Sequence, residues 1–251
     1  MAGTAIRGRL SWLLGEVVEL MHETPSVRRI VFDCPGWRGH VPGQHVDVRL
    51  TAEDGYQAQR SYSIANPPDG ELVALTVERL EDGEVSGYLT EELRIGDRIE
   101  LRGPIGGYFV WHAYQGGPLL LVAGGSGVVP LMAMLRHRVA VGSDVPVRLL
   151  LSSRSWQQII FRDELERLTR EDGIQVIHTL TGSQPPSWQG YARRVDSEML
   201  AEVAWPVCEA GPVFVCGPTG MVEAVATALT ELGHDPARIK TERFGPTGGR
   251  P

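Results

Sequence analysis

A glycine-rich loop in the middle of the chain has the composition of a phosphate-binding turn. Gly124, Gly125, Ser126 and Gly127 follow an apolar run and lead into a helical pattern that opens near Pro130. Glycine lets the backbone approach a phosphate closely, and a helix N-terminus offers unpaired N–H groups and the positive end of a dipole. The usual dinucleotide fingerprint has a third glycine where Pro130 stands. The loop alone therefore predicts either a phosphate site or a structural turn.

A second candidate site is the tetrapeptide Arg60-Ser61-Tyr62-Ser63. On a strand, Arg60 and Tyr62 lie on one face and Ser63 on the other, because successive side chains alternate. A cation beside an aromatic plane suits a phosphate and a flat ring. An arginine stacked on a tyrosine at a barrel surface has the same pattern. The tetrapeptide alone leaves both interpretations open.

Charge and cysteine content argue against several other kinds of site. The chain has 24 basic and 31 acidic residues, a net charge of -7, so nucleic acid is not the expected partner. Cys34, Cys208 and Cys216 are widely spaced, which favours a reducing compartment and provides too few thiolates for an iron-sulfur cluster. The histidines are scattered singly, so we predict no metal site. A serine hydrolase elbow fails because Val128 replaces its second glycine.

Neither a signal peptide nor a membrane span is predicted. Arg7, Arg9 and Glu16 interrupt residues 1–20, which therefore lack an apolar signal-peptide core. The longest stretch without charged residues, 113–135, is divided by several glycines and a proline. We expect a cytoplasmic protein and favour a monomer, although the sequence does not determine the oligomeric state.

The pattern of elements predicts a two-domain β + α/β protein. Up to about residue 112, short apolar runs separated by turn residues predict an antiparallel barrel or sandwich; they are 15–20, 27–32, 45–50, 71–80 and 98–102. Residues 86–93 fit one helix between strands.

From residue 118 onward, strands alternate with helices, which predicts a parallel sheet covered on both faces. The predicted strands are 119–122, 147–151, 174–180, 213–216 and 239–241, and the predicted helices are 130–139, 161–169, 195–203 and 219–232. Two glycines and a proline within residues 114–118 indicate the hinge. The predicted domains are therefore 1–114 and 115–251.

Six motifs, taken in order over nearly the whole chain, resemble those of the ferredoxin-NADP reductase superfamily. They are Pro42-Gly43-Gln44 at the start of a strand, the flavin signature Arg60-Ser61-Tyr62-Ser63, the FAD pyrophosphate segment Gly83-Glu84-Val85-Ser86, the barrel-closing turn Gly103-Pro104 with Gly106, the nicotinamide loop Gly124 to Pro130, and the turn Cys216-Gly217-Pro218. Six motifs in one order are far more specific than any one. The resemblance implies an N-terminal antiparallel β-barrel for FAD and a C-terminal Rossmann-like half, with helices on both faces of a parallel sheet, for NAD(P).

The resemblance also implies roles on the flavin side. Tyr62 would stack on the isoalloxazine ring, and Ser63 would hydrogen-bond near its reactive nitrogen. Arg60 and Ser86 would hold the pyrophosphate. Backbone groups would assist them at Val77, Gly83 and Val85. Ser86 also fits a helix N-cap, for which serine is a leading choice, and both roles are compatible.

The end of the chain resembles the segment that this family brings back over the flavin. In Glu242-Arg243-Phe244-Gly245-Pro246, Phe244 would cover the ring and Glu242 would lie near the hydride path. The simpler interpretation is a terminal strand with a solvated Glu242 and a packed Phe244. Cys216 would lie near the nicotinamide, although a buried cysteine after a strand is often only packing.

The resemblance places the nicotinamide nucleotide on the C-terminal half. Its candidate ligands are Gly125, Ser126, Gly127, Ser153, Arg154, Cys216, Gly217 and Pro218. Arg154 follows the second strand, where a 2′-phosphate is read, so we favour NADPH over NADH. Arg193 and Arg194 would assist. Where many relatives carry an arginine after the third strand, this chain has Thr181-Gly182-Ser183.

The family's chemistry implies an FAD-dependent NAD(P)H oxidoreductase without its own iron-sulfur cluster. NAD(P)H would dock between the halves and reduce FAD, which would pass single electrons to a separate protein, such as a ferredoxin, a cytochrome or the redox subunit of an oxidoreductase. Two alternatives stay open. One is a reductase of free flavins or quinones, and the other is an FAD-binding electron-transfer subunit of a larger complex.

Overall fold

The computed structural model describes residues 10–244 and contains two sheets. The strands of the first sheet are β1 (Trp12–Thr24), β2 (Val27–Asp33), β3 (His45–Thr51), β4 (Gln57–Ser63), β5 (Leu72–Glu78) and β6 (Arg98–Ile105). They pair antiparallel in the order β4-β3-β6-β1-β2-β5. A bridge between Ile64 and Leu75 joins the two ends of this sheet. The sheet is therefore closed, as the barrel prediction requires.

The second sheet is parallel. Its strands are β7 (Leu119–Gly124), β8 (Val147–Ser155), β9 (Gln175–Ser183), β10 (Val213–Pro218) and β11 (Ile239–Phe244). The part of the chain that the structure describes also contains five α-helices, which are α1 (Glu84–Gly87), α2 (Val128–Ala140), α3 (Arg162–Glu171), α4 (Ser197–Val203) and α5 (Thr219–Glu231). Of these, α1 lies in the barrel half and the other four in the α/β half. The predicted alternation is confirmed, and helices cover both faces of this sheet.

Alternate residues of β7 explain why both faces are covered. All six residues of this strand are buried. Leu121 packs in the cluster formed with α2 and α3, whereas Leu120 and Val122 pack in the cluster formed with α4 and α5. A strand buried on both faces is apolar throughout, which is typical of a parallel sheet.

The order of the parallel sheet identifies where a ligand can bind. The five strands lie in the order β11-β10-β7-β8-β9, so the chain moves outward in one direction from β7 and then returns to build the other side. The reversal leaves a crevice between β7 and β10 at their carboxyl ends. In open α/β sheets, ligands bind at this switch point.

The helix predicted over residues 86–93 was wrong in its extent. Instead, α1 ends at Gly87 and a wide π turn follows over Tyr88–Glu92. Arg28 of β2 donates a hydrogen bond to the Leu93 carbonyl at 2.9 Å, and the Leu93 N–H donates back to Tyr88. The long-range bond from the barrel holds the wide turn, which local sequence could not reveal.

The barrel and the α/β half share one apolar cluster. Val27, Ala65 and Ala74 of the barrel pack in the same cluster as Met132 and Leu135 of α2. The predicted division between residues 114 and 115 stays a prediction. Within residues 10–244, no helix is long and apolar enough to span a membrane.

Candidate functional site

A cavity of about 610 Å³ lies at the carboxyl edge of the parallel sheet and reaches the barrel. Six of the predicted site residues line it: Gly125, Ser126, Ser153, Arg154, Pro218 and Phe244. The barrel contributes Thr24, Ser26, Val27 and Glu78. The cavity therefore lies between the two halves, at the switch point of the parallel sheet.

Two glycines of the loop after β7 are required for different reasons. Gly125 has a φ of +54°, and nothing lies within 4 Å of the position that a Cβ would take. Its backbone is partly exposed and lines the cavity. At Gly127 a Cβ would lie 2.1 Å from the carbonyl oxygen of Cys216. This second glycine is what lets the loop touch the end of β10, beside the crevice.

Two arginines in the cavity wall have no acidic partner. Arg154, at the end of β8 rather than beyond it, and Arg194 both line the cavity. Neither forms an ion pair with any residue between 10 and 244. Arg193, in contrast, is paired with Asp196 at 2.6 Å and does not line the cavity. Unpaired guanidinium groups beside an open glycine turn suit an anionic ligand such as a phosphate.

The barrel side of the cavity is a part of the site that sequence reasoning missed. Thr24, Val27 and Glu78 lie in one row across β1, β2 and β5, with Ser26 in the turn beside them. The Thr24 hydroxyl is buried and has no hydrogen-bond partner in the described range of 10–244. These residues are far apart in sequence, and no local motif marks them. Strand pairing alone brings them to the cavity.

The predicted flavin residues lie outside the lining of this cavity, on β4. Ala58 and Ile64 are buried in the barrel core, so Tyr62, on the same face of the strand, also packs against that core. Burial raises the pKa of Tyr62 to about 12, and its hydroxyl is therefore neutral. Arg60 is exposed, and its Nη1 donates a hydrogen bond to the Gln59 carbonyl at 2.6 Å.

The segment predicted to bind the FAD pyrophosphate forms a closed turn. Ser86 Oγ accepts a hydrogen bond from the Leu80 N–H and donates one to the Gly83 carbonyl, each at 3.2 Å. The N-cap interpretation of Ser86 was wrong, because α1 begins at Glu84 and Gly83 is its N-cap. Val77 and Val85 are almost completely buried, so their side chains are not available to a ligand.

A cysteine and a glutamate lie side by side behind the cavity. Cys216 and Glu242 are partners in the register of β10 and β11. Burial raises the pKa of Cys216 well above its usual value, and the Glu242 charge adds to this. Burial also raises the pKa of Glu242 to about 7, and its Oε2 atom is buried without a hydrogen-bond partner among residues 10–244. Glu242 is therefore only partly solvated, with one carboxylate oxygen buried.

The residues present fit the two groups that the motifs imply. On the α/β half, an open glycine face and two unpaired arginines match a dinucleotide. On the barrel, Arg60 and Tyr62 lie on one face of β4, and α1 packs beside that strand. A cation, an aromatic ring and a helix N-terminus together match a flavin nucleotide. The predicted continuation over the flavin, Gly245-Pro246, lies outside the described residues.

Two family models match the chain, one for each half. Residues 15–110 match the model described as an oxidoreductase FAD-binding domain, and residues 121–227 match the one described as an oxidoreductase NAD-binding domain. Among solved structures, the FAD/NAD binding domain of nitric oxide dioxygenase from Vibrio cholerae superposes with a TM-score of 0.83 at 27% identity, covering 93% of this chain and 99% of that one.

Curated relatives are similar over most of the sequence. The glycine betaine monooxygenase reductase subunit of Chromohalobacter salexigens is 33% identical over 92% of this chain and 63% of its own length. NADH-cytochrome b5 reductase 1 of Aspergillus terreus is 32% identical over 91% of this chain and 79% of its own length. The chain thus spans less than two thirds of the first relative and most of the second.

Proposed function

The chain belongs to the ferredoxin-NADP reductase superfamily of FAD- and NAD(P)-binding oxidoreductases, and from this premise we propose that it carries electrons from NAD(P)H through FAD to a separate redox protein. The observation that carries the proposal is the cavity shared by the two halves. It brings the glycine loop, the unpaired Arg154 and the end of β11 to one space. A donor nucleotide held there would face the barrel.

The α/β half would hold the nicotinamide nucleotide. The N–H groups around Gly125 and the start of α2 would bind its pyrophosphate, because both present unpaired donors to an anion. Phe244 lines the cavity and would shield the nicotinamide position from solvent. We also propose a preference for NADPH, since Arg154 and Arg194 carry unpaired positive charge that a 2′-phosphate would neutralise.

The barrel half would hold FAD, which supplies the hydride-accepting and one-electron-donating chemistry when it is bound. Arg60 would bind the pyrophosphate together with backbone groups at Gly83 and Val85. Tyr62, neutral and packed on the barrel core, would present its ring as a stacking surface. Ser86 would mainly keep the binding turn in shape, because its hydroxyl already bonds to the backbone of residues 80 and 83.

Glu242 and Cys216 would act together behind the nicotinamide position. Near pH 7 the Glu242 carboxyl is close to its pKa, so it can hold or release a proton at Oε2, which has no hydrogen-bond partner within the described part of the chain. The neutral Cys216 thiol adds no charge. Ser63 would hydrogen-bond to the flavin near its reactive nitrogen, from the opposite half.

The direct test is anaerobic mixing of the FAD-loaded protein with NADH and, separately, NADPH. We expect bleaching of the flavin absorbance with both and a higher kcat/KM for NADPH. No bleaching with either nucleotide would overturn the proposed function. A clear preference for NADH would overturn only the cofactor preference.

The electron acceptor is proposed to be a protein. Relatives include subunits named as reductases of monooxygenase systems, and this motivates the choice of acceptors. Reoxidation of the reduced protein is to be measured with a ferredoxin, a cytochrome and free FMN. Faster reoxidation by either protein than by FMN supports the proposal, and the reverse result favours a free flavin reductase.

A further inference from the structure

One arginine of α2 joins the helix of the glycine loop to the chain segment that carries the flavin signature. Arg136 lies about two turns along α2 from its first residue, Val128. Its Nη1 atom donates a hydrogen bond to the carbonyl oxygen of Ala65 at 2.6 Å. Ala65 comes two residues after Ser63, where β4 ends. This side chain therefore connects the nucleotide helix with the flavin strand.

The rest of the guanidinium group is also occupied. Its Nε and Nη2 atoms donate to the two carboxylate oxygens of Glu164, at 2.9 and 2.6 Å. Its flat face lies 4.7 Å from the ring centroid of Phe161. Phe161 has a left-handed φ of +59° and is the N-cap residue of α3. The planar guanidinium group thus makes hydrogen bonds along its edges and packs its face on an aromatic ring. Together these contacts fix its orientation as well as its distance from each partner.

The group is shielded from solvent and includes charges from both halves. The side chains of Arg136 and Glu164 are only 14% and 23% exposed. Glu23 of β1 and Arg29 of β2 lie in the same group, with Arg29 Nε 3.9 Å from Glu23 Oε1. Burial raises the pKa of Glu23, and the charges of Arg29 and Arg136 oppose that rise. Shielded charges interact more strongly than exposed ones.

Other hydrogen bonds between the halves lie near their covalent connection. Tyr108 Oη donates to the Ile239 carbonyl at 3.2 Å, and Lys240 Nζ donates to the Val110 carbonyl at 3.0 Å. These bonds and the chain itself fasten one place on the interface. Arg136 adds a directional bond at Ala65, more than forty residues before that connection in sequence and within the apolar cluster that both halves share. Without this bond, the angle between the halves would depend at this place on apolar contacts, which are not directional.

We propose that Arg136 is a positioning residue that sets the angle between the two halves, and with it the distance from the nicotinamide position to the flavin strand. The inference rests on the proposed function, because this distance limits a rate only if donor and acceptor sit on different halves. A misplacement of ~1 Å can slow such a reaction by ~100-fold.

The first test compares Arg136→Met with Arg138→Met. Arg138 is a matched control on the same helix, because its guanidinium bonds to the carbonyls of Val145 and Asp172 inside the α/β half. Anaerobic stopped-flow measures flavin reduction at saturating NADPH. We expect Arg136→Met to lower the limiting rate by ~10-fold or more, with the nucleotide Kd and FAD content close to those of the unsubstituted protein. Arg138→Met should lower thermal stability and leave the limiting rate unchanged.

A conservative variant separates positioning from charge. Arg136→Lys retains a cation beside Glu164 but loses the planar guanidinium group. Its limiting rate should therefore lie between those of Arg136→Met and the unsubstituted protein. Equal rates for Arg136→Met and the unsubstituted protein would overturn the inference. So would equal slowing by Arg136→Met and Arg138→Met, since that result indicates general destabilisation.

A distance measurement tests the same claim without turnover. Cys208 is exposed, whereas Cys34 and Cys216 are buried. Spin labels on Cys208 and on a Glu53→Cys substitution in the exposed β3–β4 loop therefore report the separation of the halves. Arg136→Met should broaden or shift the distance distribution, and Arg138→Met should not. An unchanged distribution overturns the inference, even if the protein fails to reduce FAD and the proposed function falls.

Discussion

The nucleotide side of the cleft is built mainly from backbone, whereas the proposed flavin side is built mainly from side chains. On the nucleotide side, Gly125 presents bare backbone to the cavity, and Gly127 holds the loop against the Cys216 carbonyl. On the flavin side, Arg60 is exposed and donates a hydrogen bond to its neighbour's carbonyl, while Tyr62 packs on the barrel core. The first surface cannot change without the fold changing, and the second can.

This difference concerns how closely stability and binding are coupled. A backbone site shares its hydrogen bonds and close contacts with the folded core, so damage to it should appear in the free energy of unfolding. Removal of an exposed side chain such as Arg60 should weaken ligand binding while the protein stays folded. Four substitutions test whether the two sides separate in this way.

The largest effect is expected at Gly127. Its backbone is helical, with φ -57°, so alanine meets no dihedral penalty and any loss comes from the clash with the Cys216 carbonyl. Because backbone cannot move aside as a side chain can, Gly127→Ala should lower the free energy of unfolding by about 3 kcal/mol or more. Urea unfolding measures this.

Gly220→Ala is the matched control for that prediction. Gly220 lines the same cavity, lies in the first turn of α5, and has nothing within 4 Å of the position that an added methyl group would take. Alanine in a helix should leave stability unchanged or raise it by up to about 1 kcal/mol. Equal destabilisation by both substitutions would remove the close-contact explanation for the nucleotide side.

The next effect is a pH dependence of stability from Glu242. Its pKa rises from 4.5 to about 7 on folding, so the folded state holds a proton that the unfolded state has already released. This contribution is fully present below pH 4.5 and is lost as pH rises to about 7, by up to about 3 kcal/mol. Glu242→Gln should abolish this part of the pH profile in the FAD-free protein.

The control for the pH experiment is Glu231→Gln, an exposed glutamate at the end of α5. Its unfolding profile between pH 4.5 and 8 should match that of the unsubstituted protein. If Glu242→Gln also leaves the profile unchanged, Glu242 is not coupled to folding and the nucleotide side is less closely tied to the core than its structure implies.

Arg60→Ala tests the flavin side. The loss of one charge-assisted contact to a pyrophosphate should weaken FAD binding by about 2 kcal/mol, or ~30-fold. The free energy of unfolding without FAD should change by less than about 0.5 kcal/mol, because Arg60 is exposed. Fluorescence titration with FAD measures the first quantity and urea unfolding the second. A large loss of stability would break the contrast between the two sides.

The smallest effect is expected at Arg154, a side-chain element on the nucleotide side. Arg154→Gln should raise KM for NADPH by ~10-fold, about 1.4 kcal/mol, and leave KM for NADH within about twofold. Arg193→Gln is the control, because Arg193 is paired with Asp196 outside the cavity lining. Equal changes in KM for both nucleotides would show that Arg154 contacts a group other than the 2′-phosphate.

Local patterns were sufficient to predict the fold and the nucleotide loop. The alternation of apolar strands and helices predicted the parallel sheet, and the glycine loop predicted a turn between β7 and α2, because both depend on neighbours in sequence. Where tertiary contacts determine the extent of an element, the sequence-based predictions were wrong. The start of α1 at Glu84 and the π turn held by Arg28 depend on the barrel, and so the N-cap interpretation of Ser86 was wrong.

The parts of the site that no motif marks come from strand register. Thr24 and Glu78 reach the cavity only because β1, β2 and β5 pair in one register. The environment of Glu242, likewise, depends on its place opposite Cys216. A sequence shows that a glutamate precedes Phe244, but not that one of its oxygens is buried and unpaired.

The apolar cluster that spans both halves limits how such reductases can be recombined. One family model ends at residue 110 and the other begins at residue 121. This boundary suggests a place at which one half could be exchanged for a homologous half. However, Ala65 and Ala74 pack in one cluster with Met132, across that junction. In a chimera, the residues that each half contributes to this cluster would come from different proteins and would not be matched in shape. An exchange of one half should therefore keep the interface residues of the other half's original partner.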